Sequence, residues 1–175
     1  MKKYVFKPYD PNFPKLFELE KNRLRKILGK DDLIEHIGST AVPGLGGKGI
    51  IDICIATSKK NLKAISKKLQ EIGYEFGPKG GSKERLFHKI SLKDENKKLR
   101  TYHVHLTFKG SQEWDNVTLF RDYLGTHPKE AKKYAEIKKF AVKKANENRE
   151  VYIKIKSPLI DEMVNKALKV NENNR

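Results

Sequence analysis

His36-Ile37-Gly38-Ser39-Thr40-Ala41-Val42-Pro43-Gly44-Leu45-Gly46-Gly47-Lys48-Gly49-Ile50-Ile51-Asp52-Ile53 joins two apolar segments through five glycines and one proline. Leu33 to Ile37 reads as a short strand, and Ile50 to Ala56 as a buried one interrupted only by Asp52. A glycine-rich turn leaving a strand lets backbone N–H groups approach an anion closely. Ser39 and Thr40 add hydroxyl donors, and Lys48 adds a point charge for phosphate. Asp52 is the odd residue, because an unpaired carboxylate in an apolar strand is costly. A bound metal or a cationic neighbour resolves that cost. A glycine-padded connection between neighbouring strands accounts for the same residues without a ligand, and spacing alone does not separate the two.

Two better-known phosphate loops are excluded. A Walker A loop ending at Gly47-Lys48 needs glycine at position 42 and Ser or Thr at 49, where the chain has Val42 and Gly49. The dinucleotide fingerprint needs a helix directly after its glycines, and no helical pattern follows here.

Outward from this stretch, Pro14 to Leu28 has an amphipathic helical pattern, with Leu16, Phe17, Leu24 and Ile27 on one stripe. Asn61 to Ile72 predicts a second helix, capped by Ser58 and ended by Gly73. Leu86 to Leu92 and Leu99 to Phe108 predict two strands. Trp114 to Leu124 and Pro128 to Ala145 predict helices, and Ser157-Pro158 marks the start of a last helix reaching Val170. Asn171 to Arg175 is expected to fray. The order predicts one α+β domain over residues 1–175, a small mixed β-sheet flanked by helices.

Composition bounds the function. No apolar run approaches the roughly 20 residues that span a bilayer, and Met1 to Pro8 lacks the apolar region of a signal peptide. A cytoplasmic protein without membrane attachment is the expectation. The lone Cys54 rules out an intramolecular disulfide framework and a Cys-only zinc site. The net charge of +16 invites a nucleic-acid partner. Yet residues 1–60, 61–125 and 126–175 carry +5, +5 and +6, so no basic tail stands out. Of 38 basic residues only seven are Arg, the type favoured for base and phosphate recognition. Non-specific nucleic-acid binding is therefore an alternative that the sequence does not favour.

His103 and His105 lie i, i+2 on a predicted strand, so both rings project from one face. Beside Asp52 they would make a two-histidine, one-carboxylate set, better suited to Zn, Mn or Fe than to Mg. Packing on a half-exposed strand face is the bland account of the same pair. His36 is expected to partner the loop backbone. Arg85 opens a strand after a glycine loop and can reach a phosphate from a cleft rim. Arg121, among Phe120, Asp122 and Tyr123, can do likewise or pair with Asp122. Tyr152 to Lys156 alternates, which would put Lys154 and Lys156 on one face if extended.

The long motif from His36 to Leu45, with Lys48 and Ile51-Asp52-Ile53, resembles the hallmark of the GrpB family. His103-Val104-His105, Phe120-Arg121-Asp122-Tyr123-Leu124, His127-Pro128, Tyr134, Lys138, Tyr152 and Lys156 match in order, so the resemblance spans roughly residues 4–168. It implies a nucleotidyltransferase-like fold. It also implies a pattern of Gly-Ser turn, about ten residues, then two acidic residues at i, i+2 on a strand. Such carboxylates hold Mg²⁺ or Mn²⁺ against nucleotide phosphates for phosphoryl or nucleotidyl transfer. Gly38-Ser39 matches the turn and Asp52 the first acidic position. The second is Cys54, a poor ligand for a hard cation. Glu35 is a candidate oxygen donor in its place. The resemblance thus implies an enzyme acting on a nucleotide or phosphate-bearing small molecule with a divalent metal. The alternative, prompted by Cys54, is a catalytically degenerate nucleotide-binding or regulatory module.

Overall fold

The computed structural model describes residues 5–146 and 148–173. Five strands, β1 (Leu33–Ile37), β2 (Ile51–Thr57), β3 (Glu75–Phe76), β4 (Leu86–Lys93) and β5 (Leu99–Phe108), form one sheet in the order β1-β2-β5-β4-β3. The central pair β2–β5 is parallel and the other pairs are antiparallel. Five helices accompany them: α1 (Phe13–Arg25), α2 (Leu62–Glu71), α3 (Gln112–Thr126), α4 (Pro128–Ala145) and α5 (Arg149–Asn173).

Helices α1 and α2 cover one face of the sheet. Phe13, Leu16, Phe17 and Leu24 of α1 and Ile65 and Leu69 of α2 bury their apolar stripes against Ile51, Ile53, Ile55, Val104 and Leu106. Each fully buried Ile or Leu contributes about 1.5–3 kcal/mol relative to exposure. The buried charge in this layer is satisfied. Glu20 accepts from the Tyr74 hydroxyl at 2.7 Å and from the Arg23 guanidinium at 2.7–3.1 Å.

The opposite face follows from the register. Ile37 pairs with Asp52 and Glu35 with Cys54, while Asp52 pairs with His103 and Cys54 with His105. Residues directly opposite in a ladder share a face, so these polar side chains point away from the α1–α2 core. Helices α3, α4 and α5 stand over them. Their own core is made by Val42, Leu45, Tyr123, Leu124, Tyr134, Leu159, Met163 and Ala167.

Several local expectations need correction. The last helix begins at Arg149, not at Ser157, and carries Pro158 in its interior. Buried Tyr152, Leu159, Met163 and Ala167 recur at helical spacing across the proline, and that packing outweighs the lost N–H bond. Tyr152 to Lys156 is accordingly helical, so Lys154 and Lys156 do not share a face. The helix runs through Asn173, beyond the expected end at Val170, and residues 174–175 lie outside the described ones. Ser58 makes no side-chain cap, because a turn at Lys59–Asn61 separates it from α2. The two-residue β3 carries no sequence signal of its own.

Candidate functional site

The parallel β2–β5 register brings together side chains 51 and 53 residues apart. His103 Nδ1 donates to Asp52 Oδ1 at 3.1 Å, and His105 Nε2 lies 3.6 Å from the same oxygen. One ligand atom from each of the three residues falls within 4.8 Å of the others. Burial alone would raise the Asp52 carboxyl, but the His103 bond and the adjacent His105 ring outweigh it and hold the group well below the usual carboxylate range. The His105 Nδ1 atom is buried without a hydrogen-bond partner among the described residues. Two imidazole nitrogens and a carboxylate oxygen so placed are a chemically suitable donor set for a divalent transition metal.

Asp52 needs Gly38 beside it. Gly38 has φ +71°, and a Cβ there would come within 2.7 Å of Asp52 Oδ2. Gly38→Ala is therefore expected to lower stability by about 1–3 kcal/mol and to displace the carboxylate. Chemical denaturation against wild type checks it, and an unchanged midpoint would refute the close-approach account. Gly47 has a related role, since a Cβ there would meet Ser39 Oγ at 2.5 Å and Lys138 Nζ at 3.3 Å.

A cavity of about 830 Å³ opens between this sheet face and the three C-terminal helices. Asp52, His103 and His105 line it together with Gly38, Ser39, Lys48, Arg85 and Lys156. Lys138 of α4 lines it too, only 4% exposed, donating to the Gly46 carbonyl and lying 4.6 Å over the Tyr134 ring. Burial and, after it, the nearby Lys156 charge lower its ammonium to about 7, with Asp52 acting in the opposite direction. Lys156 is also lowered by burial, against Asp52. The Nζ atoms of Lys48 and Lys156 lie 4.5 Å and 5.3 Å from the Tyr152 ring centroid. Three lysines thus face one cavity beside the Asp52 carboxylate, which is an environment for anions.

The remaining expected residues are placed differently. Thr40 is buried, donates to the Ile50 carbonyl at 3.0 Å and accepts from His36 Nε2 at 3.0 Å, so its hydroxyl is committed inside the loop. His36 therefore partners a side chain rather than the loop backbone, and its ring stacks on Phe17. Arg121 does not line the cavity. It clamps α3 to β1, reaching Glu35 at 2.6 Å, the His36 carbonyl at 2.9 Å and Asp122 at 2.7 Å. That clamp also occupies Glu35, which stays out of the Asp52–His103–His105 group. Arg85 reaches the cavity, but its guanidinium is paired with Glu113 and donates to the Gly80 carbonyl at 3.1 Å. Cys54 is buried, and burial pushes its thiol up to about 12, so it stays protonated. The sequence signal for Lys138 as a site residue was its spacing from Tyr134, i, i+4 on one helix face, as it is for Tyr152 and Lys156.

The GrpB protein family model matches residues 3–166. The chain belongs to the GrpB family. Within it, this chain is 34% identical over 163 residues to a UPF0157 protein of Pseudomonas aeruginosa, covering 92% of this chain and 66% of that one. It is 30% identical to the glutamate-rich protein GrpB of Alkalihalophilus pseudofirmus, covering 90% and 91%. The crystal structure of GrpB from Enterococcus faecalis superposes with a TM-score of 0.79 at 29% identity, over 95% of this chain and 99% of that one. Cid1 poly(U) polymerase bound to MgATP superposes with a TM-score of 0.53 at 14% identity, over 78% of this chain and 44% of that one. That likeness shows the fold, and the GrpB-family chain has a nucleotidyltransferase-like one. Among its described residues no helix is long and apolar enough to cross a membrane.

Proposed function

We propose that this GrpB-family chain is a cytoplasmic enzyme that binds a nucleotide or another phosphate-bearing small molecule and transfers a phosphoryl or nucleotidyl group with a divalent metal. One observation carries the reading. The Asp52–His103–His105 group and the Gly38-Ser39 turn line the same cavity as Lys48, Lys138 and Lys156. A divalent ion held by Asp52, His103 and His105 would polarise a phosphoryl oxygen as a Lewis acid. The donor set favours Zn²⁺ or Mn²⁺ over Mg²⁺. Ser39 and the turn amides donate to phosphate oxygens, and the three lysines balance their charge. The nucleotidyltransferase-like fold supports the same chemistry by analogy.

Cys54 supports a second reading, a binding module without turnover. A buried protonated thiol stands two residues beyond Asp52 on the strand, where a second carboxylate would serve a hard cation. Isothermal titration with ATP, with and without Mn²⁺ or Zn²⁺, tests the metal requirement. ATP affinity at least tenfold higher with metal is the expected result, and equal affinities would sink the metal-assisted reading. Metal-dependent binding with no product in a nucleotide-donor screen would favour the binding module.

A further inference from the structure

We propose that the cavity is built for an elongated phosphate ester whose far end is aliphatic rather than a nucleobase. This inference rests on the phosphate reading above and narrows the ligand within it. Tyr152, Lys156, Ile160, Val164 and Leu168 all line the cavity, one residue from each successive turn of α5. Sixteen residues of helix make that stripe about 24 Å long at 1.5 Å per residue. Its Tyr152 end carries the cations, and its far end presents three aliphatic side chains.

The cations gather at the Tyr152 end. Lys48 and Lys156 both lie over that ring, and Lys138 is close enough to Lys156 for the two charges to repel. Beyond Lys156 the stripe carries no cation. Its side chains are Ile160, Val164 and Leu168, and Val117 of α3 lines the same cavity. The Arg85 charge elsewhere on the wall is already balanced by Glu113. Gln112, also on the wall, donates through Nε2 to Asn116 Oδ1 at 2.8 Å. Asp161 and Asn165, both exposed, flank this aliphatic row on α5.

A nucleobase needs a ring face to stack on, and the rings here are engaged with each other or with lysines. Phe120 and Tyr134 meet edge to face at 5.3 Å, and Lys138 sits over Tyr134. Tyr152 carries Lys48 and Lys156, while His103 and His105 meet Phe87 edge-on at 4.8 Å and 5.6 Å. The aliphatic surface offered to the ligand body is that of Ile160, Val164 and Leu168 with Val117. Such a wall gains more from covering an alkyl chain than from a planar base, which gains most from stacking on a ring.

Calorimetric titration of the whole chain with inorganic phosphate, butyl, hexyl and octyl phosphate, AMP and octanol tests the assignment, all below micellar concentration. Affinity is expected to rise roughly two- to fourfold per methylene buried. Octyl phosphate is expected to bind at least tenfold tighter than AMP, and octanol far more weakly than its phosphate ester. Val164→Asp is expected to remove the chain-length dependence, and Leu168→Ser serves if that variant does not fold. A flat series or tighter AMP, with inorganic phosphate still bound, would overturn the aliphatic assignment and leave the phosphate reading standing. Octanol binding as well as octyl phosphate would overturn it too. No binding by phosphate or any ester would overturn both.

Discussion

Asp52→Asn is expected to weaken Mn²⁺ or Zn²⁺ binding at least 100-fold while leaving the fold in place. The substitution keeps side-chain volume and an oxygen that accepts from His103 at the present 3.1 Å, but removes the only anionic group of the three-residue donor set. Losing a full charge against a divalent ion in a site a quarter exposed is worth about 3 kcal/mol or more. Two readouts check it. Calorimetry gives the affinity directly. Thermal unfolding gives it by linkage, since metal at 100 times its dissociation constant stabilises a binding-competent fold by about 2.7 kcal/mol. Wild type should melt higher with metal and the variant should not. Equal metal-induced shifts in both proteins would exclude Asp52 as a ligand.

A second large effect concerns acid, on the opposite face of the sheet. His88 is fully buried, bonded through Nε2 to Ser66 Oγ at 2.8 Å, and burial lowers its ring from 6.5 to about 4. The folded ring is therefore neutral where the unfolded one is charged. Between those two values the unfolded chain binds more protons, so stability rises with pH. The contribution is complete above pH 6.5 and is lost as the pH falls toward 4, amounting to about 3 kcal/mol. His36, lowered to about 4 mainly by burial, acts in the same direction. Denaturant unfolding of wild type and His88→Gln at pH 7 and pH 4.5 measures the effect. Glutamine can still bond Ser66 but does not titrate, so its loss of stability across that interval should be visibly smaller. Identical losses would mean that other groups set the acid limit.

The sequence carried much of this arrangement because its signals were local. Five glycines between apolar runs marked the turn, and Asp52 stood out because a strand interior tolerates few carboxylates. His103 and His105 shared a face by strand alternation alone. What joined them to Asp52 was the parallel pairing of β2 with β5, a tertiary fact that no short-range pattern encodes. The lysines were the hardest to read. Lys138 and Lys156 are two among 31 lysines, and only packing against Tyr134 and Tyr152 separates them from solvated neighbours. Arg121 misled for the converse reason. An arginine beside aromatic residues fits a ligand contact or a structural clamp equally well, and Glu35, 86 residues away, decided it. Pro158 was read by its usual preference for a helix start, and long-range packing of α5 overrode it.

The parallel pairing of β2 and β5 also sets the order in which the molecule can be made. Asp52 and His103 become neighbours only after the intervening 50 residues have been looped back, with α2, β3 and β4 formed inside the loop. Closing so long a segment carries an entropic cost that local hairpins avoid, so this contact is expected to form after them. A chain halted before β5 has the glycine turn and the carboxylate but neither histidine. On the proposed metal reading, capture would be reserved for molecules whose sheet is already closed, and a bound ion would fasten that contact.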